Sequence, residues 1–133
     1  MQRPFRLLIV DDQSRARQSL SALLVLDFPQ IELCEAFDGQ EALRQMEAFH
    51  PDIVVMDVLM PGGDGLEATR LIKTRYPLTK VILYSMYAEY QPVALVAGAD
   101  AFIVKGAPSG TLVTAIADLA KASAASSRSH EGD

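Results

Sequence analysis

The chain has 133 residues, with 12 basic against 17 acidic side chains and a formal charge of −5; half of its residues are hydrophobic and 22% are charged. That length suits one domain, the composition is globular rather than disordered, and the acidic balance argues against a nucleic-acid or anionic-membrane surface. A single cysteine, Cys34, and two distant histidines, His50 and His130, exclude a disulfide framework and a Cys/His zinc site. No apolar run reaches the roughly 18 residues of a membrane span, and the first residues lack a signal-peptide core, so a cytoplasmic location is expected.

Five short apolar runs are predicted as strands: Phe5–Val10, Ile31–Phe37, Ile53–Met56, Val81–Tyr84 and Ala101–Val104. Four are nearly continuous, as expected of strands covered on both faces. The second, Ile31-Glu32-Leu33-Cys34-Glu35-Ala36, is mixed and predicts a place nearer a sheet edge. Between the runs the apolar period becomes helical. Ser14 is the expected N-cap of a first helix carrying Ala16, Leu20, Leu23 and Leu24, with Arg15, Arg17 and Gln18 opposite. Asp38-Gly39 opens a second helix, closed by His50-Pro51. Gly65 opens a third, with Asp64 as its cap, and Tyr76-Pro77 ends it. A fourth, near Glu89–Ala97, has Pro92 in its first turn and Gly98 at its end. The fifth starts near Pro108-Ser109 and carries Leu112, Ile116 and Leu119. The alternation is (βα)5, which implies a parallel sheet with helices on both faces. Residues 1–121 form the domain on this reading. Residues 122–133, rich in Ala and Ser, have the composition of a linker or disordered tail.

Ligands of open parallel sheets bind beyond the carboxyl ends of the strands. The residues ending the runs there are Asp11-Asp12, Asp57, Ser85 and Lys105. Singly, each is an ordinary turn former, cap or surface charge. Jointly, three carboxylates cost folding energy unless a cation offsets them, and oxygen donors suit Mg²⁺ or Mn²⁺. Asp57, in the middle, has the chemistry of a nucleophile toward phosphorus. Lys105 and Ser85 would complement the oxygens of a phosphoryl group, where positioning and electrostatics dominate.

These residues resemble the receiver domains of two-component response regulators. The resemblance rests on Asp11-Asp12, on Asp57-Val58-Leu59-Met60-Pro61-Gly62-Gly63-Asp64-Gly65, on Ser85, and on Gly98-Ala99-Asp100-Ala101-Phe102-Ile103-Val104-Lys105. It implies a flavodoxin-like three-layer α/β sandwich with sheet order 2-1-3-4-5. It implies Mg²⁺ held by Asp12, Asp57 and the carbonyl of Leu59, and by Asp11 mostly through water. It further implies catalytic roles for Asp57, Ser85 and Lys105, with Ser85 and position 102 as a switch pair. The implied partners are a histidine kinase or phosphotransfer protein, and the resemblance allows a homodimer. Three departures stand out. Phe102 replaces the usual tyrosine, Gly106 replaces the frequent proline, and Met86 stands where a small residue is favoured. Lys105-Gly106 resembles receivers that precede a LuxR-type helix-turn-helix, so the regulatory domain of a transcriptional regulator, with its DNA-binding domain outside this chain, is expected.

Three rival functions on such a fold fit less well, one of them a receiver-like interaction module that is never phosphorylated, against which the intact acidic cluster argues. A flavin carrier would need a phosphate loop where Asp11-Asp12 would repel phosphate. A phosphohydrolase of the Asp-x-Asp type would need a second aspartate where Leu59 stands.

Overall fold

The computed structural model describes residues 4–61 and 65–131. The strands are β1 (Arg6–Val10), β2 (Glu32–Ala36), β3 (Ile53–Asp57), β4 (Lys80–Ser85) and β5 (Ala101–Val104). The helices are α1 (Ser14–Asp27), α2 (Gly39–Phe49), α3 (Gly65–Arg75), α4 (Gln91–Val96) and α5 (Ser109–Glu131), with a 3₁₀ turn at Ala88–Tyr90 before α4. All strand pairs are parallel and the sheet order is β2-β1-β3-β4-β5. The mixed second run is indeed an edge strand, and each buried strand is one of the near-continuous apolar runs.

Alternation along the strands divides the core in two. Leu8, Val10, Val54, Met56, Val81 and Leu83 face α2, α3 and α4, where they meet Ala42, Met46, Ala68, Ile72 and Ala94. Leu7, Ile9, Ile53, Val55 and Ile82 face α1 and α5, where they meet Leu24 and Ile116. Most of these side chains are fully buried, and each such burial stabilises the fold by about 1.5–3 kcal/mol before entropy is counted.

Local chemistry sets the helix ends. Asp38 caps α2 by accepting the Glu41 N–H at 2.8 Å, a contact worth about 1 kcal/mol. At α1 the cap is Gln13 rather than the expected Ser14, and its side chain makes no cap bond. The Asp11 side chain explains the shift. Its Oδ1 accepts the Gln13 N–H at 3.0 Å, which turns the chain one residue early, and the Gln13 carbonyl takes the first helical bond from Arg17. Gly98 sits at φ 106° after α4, in the left-handed region that glycine tolerates. The predicted cap Asp64 lies outside the described residues. α5 continues past Lys121 to Glu131, so the segment with linker composition is helical through that residue. Among the described residues no helix is long and apolar enough to cross a membrane.

Candidate functional site

β1, β3, β4 and β5 end side by side, and their parity decides which side chains meet. Asp11 follows Leu7 and Ile9, Asp57 follows Ile53 and Val55, Tyr84 follows Ile82, and Lys105 follows Ile103. All four therefore lie toward the α1/α5 face at the carboxyl edge of the sheet. Tyr84 is the cross-strand partner of Asp57 and of Ile103.

Asp57 is buried and held at both oxygens. Its Oδ1 accepts the Leu59 N–H at 3.1 Å, and its Oδ2 accepts Lys105 Nζ at 2.9 Å. Lys105 also reaches Asp11 Oδ2 at 3.4 Å. One oxygen from each of Asp11, Asp12 and Asp57 lies within 4.8 Å of the others, with Asp11 and Asp57 buried and Asp12 exposed. Burial raises the Asp57 pKa above the ordinary carboxylate value; the Lys105 hydrogen bond and the Leu59 N–H pull the other way without overcoming it. Burial pulls Lys105 down, but the hydrogen bond and charge of Asp57, followed by the charge of Asp11, outweigh it, and its pKa is raised. The ammonium therefore stays charged between two carboxylates.

A hard divalent cation fits this donor set. Three carboxylate oxygens converge, one of them from a solvent-facing residue that leaves room for water ligands, and the single ammonium leaves excess negative charge. The Leu59 N–H is turned to Asp57, while its side chain is exposed.

Ser85 and Phe102 lie on the other side of the sheet from Lys105. Ser85 is buried, and its Oγ accepts the Tyr87 N–H at 3.1 Å. Its carbonyl accepts the Lys105 N–H at 2.8 Å, which ties β4 to the β5 end. Phe102 is half-buried against the core under α4. Thus the structure brings Asp11, Asp12, Asp57 and Lys105 into one cluster, with Ser85 on the adjacent strand end facing Phe102's side. Gly106 takes φ 92° directly after Lys105.

Two residues join the site without having been expected there. Tyr84, read in the sequence only as the end of the fourth apolar run, donates its hydroxyl to Asp11 Oδ2 at 2.6 Å, and its ring lies 4.7 Å from Lys105 Nζ. Its pKa is raised, first by burial and then by the Asp11 hydrogen bond, so the hydroxyl remains a donor. The signal was present in strand parity, because residue 84 shares a face with Asp57. Arg17, expected on the polar face of α1, donates Nη1 to the Asp11 carbonyl at 2.7 Å and Nε to Glu35 at 2.8 Å. It thereby fixes the β1–α1 turn against β2. Tyr84 and Lys105 also border a cleft of about 500 Å³ lined by Leu20, Leu23, Ile103 and Leu112.

Comparison with known proteins agrees with this geometry. The family model described as the response regulator receiver domain matches residues 7–117. Transcriptional regulatory protein LnrK of Bacillus subtilis is 34% identical over 113 residues, covering 84% of this chain and 51% of that protein. A crystal structure of a LuxR-family two-component response regulator from Aurantimonas sp. superposes with a TM-score of 0.83 at 31% identity, covering 90% of this chain and 87% of that one. Response regulator protein TrrA of Thermotoga maritima, solved in complex with Mg²⁺-BeF, superposes with a TM-score of 0.79 at 31% identity, covering 90% and 99%. The chain spans about half the length of the transcriptional regulators it matches. A family model covering most of the chain, the shared fold and the acidic cluster together show that this chain belongs to the receiver domains of two-component response regulators.

Proposed function

We propose that the chain is a phosphorylation-controlled switch whose Asp57 accepts a phosphoryl group from a histidine kinase or phosphotransfer protein. Receiver domains of response regulators act with such kinases. The observation that carries the reading is the setting of Asp57: a buried carboxylate oriented at Oδ1 by a backbone N–H and at Oδ2 by an ammonium, beside two further carboxylates.

Asp11, Asp12, Asp57 and the Leu59 carbonyl would hold Mg²⁺, or Mn²⁺ in its place. That ion supplies the positive charge that lets an anionic nucleophile and an anionic phosphoryl group meet. A carboxylate oxygen of Asp57 attacks phosphorus. The bond from phosphorus to the donor nitrogen breaks, and the leaving imidazole keeps the electron pair and takes up a proton. Lys105, a compact and mobile charge, moves from Asp57 Oδ2 to a phosphoryl oxygen. Ser85 Oγ accepts from Tyr87 but retains its own proton, which it donates to another phosphoryl oxygen. Water later cleaves the mixed anhydride to return the Asp57 carboxylate and inorganic phosphate.

Rotation of Ser85 would vacate space on the side of the sheet where Phe102 packs, and this pair is the proposed switch. With no hydroxyl at position 102, coupling runs through packing. The altered surface would be that of α4, β5 and α5, with a second copy of the chain among its partners. We assign residues 1–121 to the receiver and 122–133 to the linker toward an output domain. A DNA-binding output outside this chain is supported by the LnrK and LuxR-family likenesses and by Lys105-Gly106. The acidic receiver makes no nucleic-acid or membrane contact on this reading and works in the cytoplasm.

The test is incubation of the chain with acetyl phosphate or phosphoramidate and Mg²⁺, read by intact mass. One phosphate increment that EDTA abolishes is expected. No increment with either donor, or one indifferent to EDTA, would contradict the proposal.

A further inference from the structure

We infer that Tyr84 is a positioning residue for phosphotransfer: its hydroxyl fixes Asp11 while its ring seats Lys105, so Asp11 keeps a partner when Lys105 leaves it for the phosphoryl group. The inference rests on the phosphotransfer reading above.

Asp11 is almost wholly buried, and a buried carboxylate needs donors at its oxygens. An ionised carboxylate offers about four lone-pair sites. At Oδ1 one is taken by the Gln13 N–H at 3.0 Å. At Oδ2 two are taken, by the Tyr84 hydroxyl at 2.6 Å and by Lys105 at 3.4 Å. The phenol makes the short contact and the ammonium the long one. Lys105 is meanwhile closer to Asp57, at 2.9 Å. Tyr84 thus bears most of the task of satisfying Asp11, and the lysine is bound loosely enough there to move.

The ring adds a second constraint. Lys105 Nζ stands 4.7 Å from the Tyr84 ring centroid, within cation–π range. One side chain therefore holds the anionic and the cationic parts of the site at a set spacing. β4 places it there because Tyr84 is the cross-strand partner of Asp57. Without the hydroxyl, the donors to the Asp11 side chain among the described residues would be Gln13 and Lys105. The ammonium would be drawn onto Asp11, where it would compete with a divalent cation, and the carboxylate would lose its fixed orientation.

Tyr84→Phe keeps the ring and its packing and removes only the hydroxyl. Groups that orient metal ligands typically change metal affinity 10–100-fold when mutated, so a rise of about tenfold in the Mg²⁺ dissociation constant is expected by calorimetric titration. The same substitution made in an Asp11→Asn background should change the constant no further, because Tyr84 acts through Asp11. A role in packing alone would leave Mg²⁺ affinity alike in the parent and Tyr84→Phe, or would lower it equally in both backgrounds. Either result, or tighter binding in Tyr84→Phe, overturns the inference while leaving the phosphotransfer reading intact. Absence of any Mg²⁺ binding by the parent overturns both.

Discussion

Gly65 lies against the backbone of Asp57: a Cβ at residue 65 would stand 2.2 Å from the Asp57 carbonyl oxygen and 3.2 Å from Val58 Cα. The Gly65 N–H donates to the Val58 carbonyl at 2.9 Å, so α3 begins pressed onto the end of β3. Gly65→Ala must therefore displace either the helix start or the end of β3. Overpacking of this kind costs about 1–3 kcal/mol. Thermal melting should fall accordingly, and phosphorylation by acetyl phosphate should slow more than melting alone explains. Parent-like melting and rate would show that the loop yields without moving Asp57.

Asp57 should make stability depend on pH in metal-free buffer. Burial raises its pKa above the usual 3.8. A carboxyl whose folded pKa exceeds its unfolded one binds protons more readily when folded, so its ionisation opposes folding. The penalty is absent below the unfolded value and complete above the raised folded one. Asp57→Asn should thus melt above the parent at about pH 7 in EDTA, with the gap closing toward about pH 4. Melts across that range check this. A gap of opposite sign at neutrality, or one constant with pH, would contradict it.

The acyl phosphate should be long-lived. Leu59 and Tyr87, two residues beyond Asp57 and Ser85, are both half-exposed. Neither has a carboxylate or amide to orient an attacking water, and a positioned polar group contributes about 10²-fold or more to such steps. Met86, which is 70% exposed, adds bulk beside them. A Leu59→Asn, Tyr87→Glu double variant should lose phosphate faster in Mg²⁺. Equal or slower decay would show that the two side chains only cover the loops, as the edge-on contact of Tyr87 with Tyr90 at 6.4 Å does.

Phe102→Ala should uncouple phosphorylation from the output surface. Phe102 is half-buried against the core under α4 and pairs with Leu83 across the sheet. Its truncation should cost less than the ~3 kcal/mol typical of a fully buried phenylalanine. Labelling of Asp57 should continue, while phosphorylation-dependent self-association should weaken. Undiminished coupling would reduce Phe102 to a core residue.

The sequence made the strands and the acidic cluster legible for different reasons. β3 is a nearly unbroken apolar run because both of its faces are covered, and β2 shows its edge position in Glu32 and Glu35, whereas the other edge strand, β5, is apolar yet only partly buried. Asp11, Asp12, Asp57, Ser85 and Lys105 were accessible because strand ends in a parallel sheet converge by topology. Tyr84 was not, since its role needs both the face it occupies and the identity of its cross-strand neighbour. Arg17 follows α1 periodicity as a surface residue, yet it reaches back to the Asp11 carbonyl. The N-cap of α1 is Gln13 rather than Ser14 for a similar reason, because the Asp11 side chain competes for the turn. Gly65 was legible as a helix start, but its close approach to the Asp57 backbone is a three-dimensional contact that spacing alone does not show.

The most direct test of the account is whether Asp57 alone accepts phosphate. The parent and Asp57→Asn should be incubated with acetyl phosphate and Mg²⁺ under identical conditions, with circular dichroism showing both folded. The account predicts one phosphate increment in the parent's intact mass and none in Asp57→Asn. Stoichiometric labelling retained in the folded variant would contradict it.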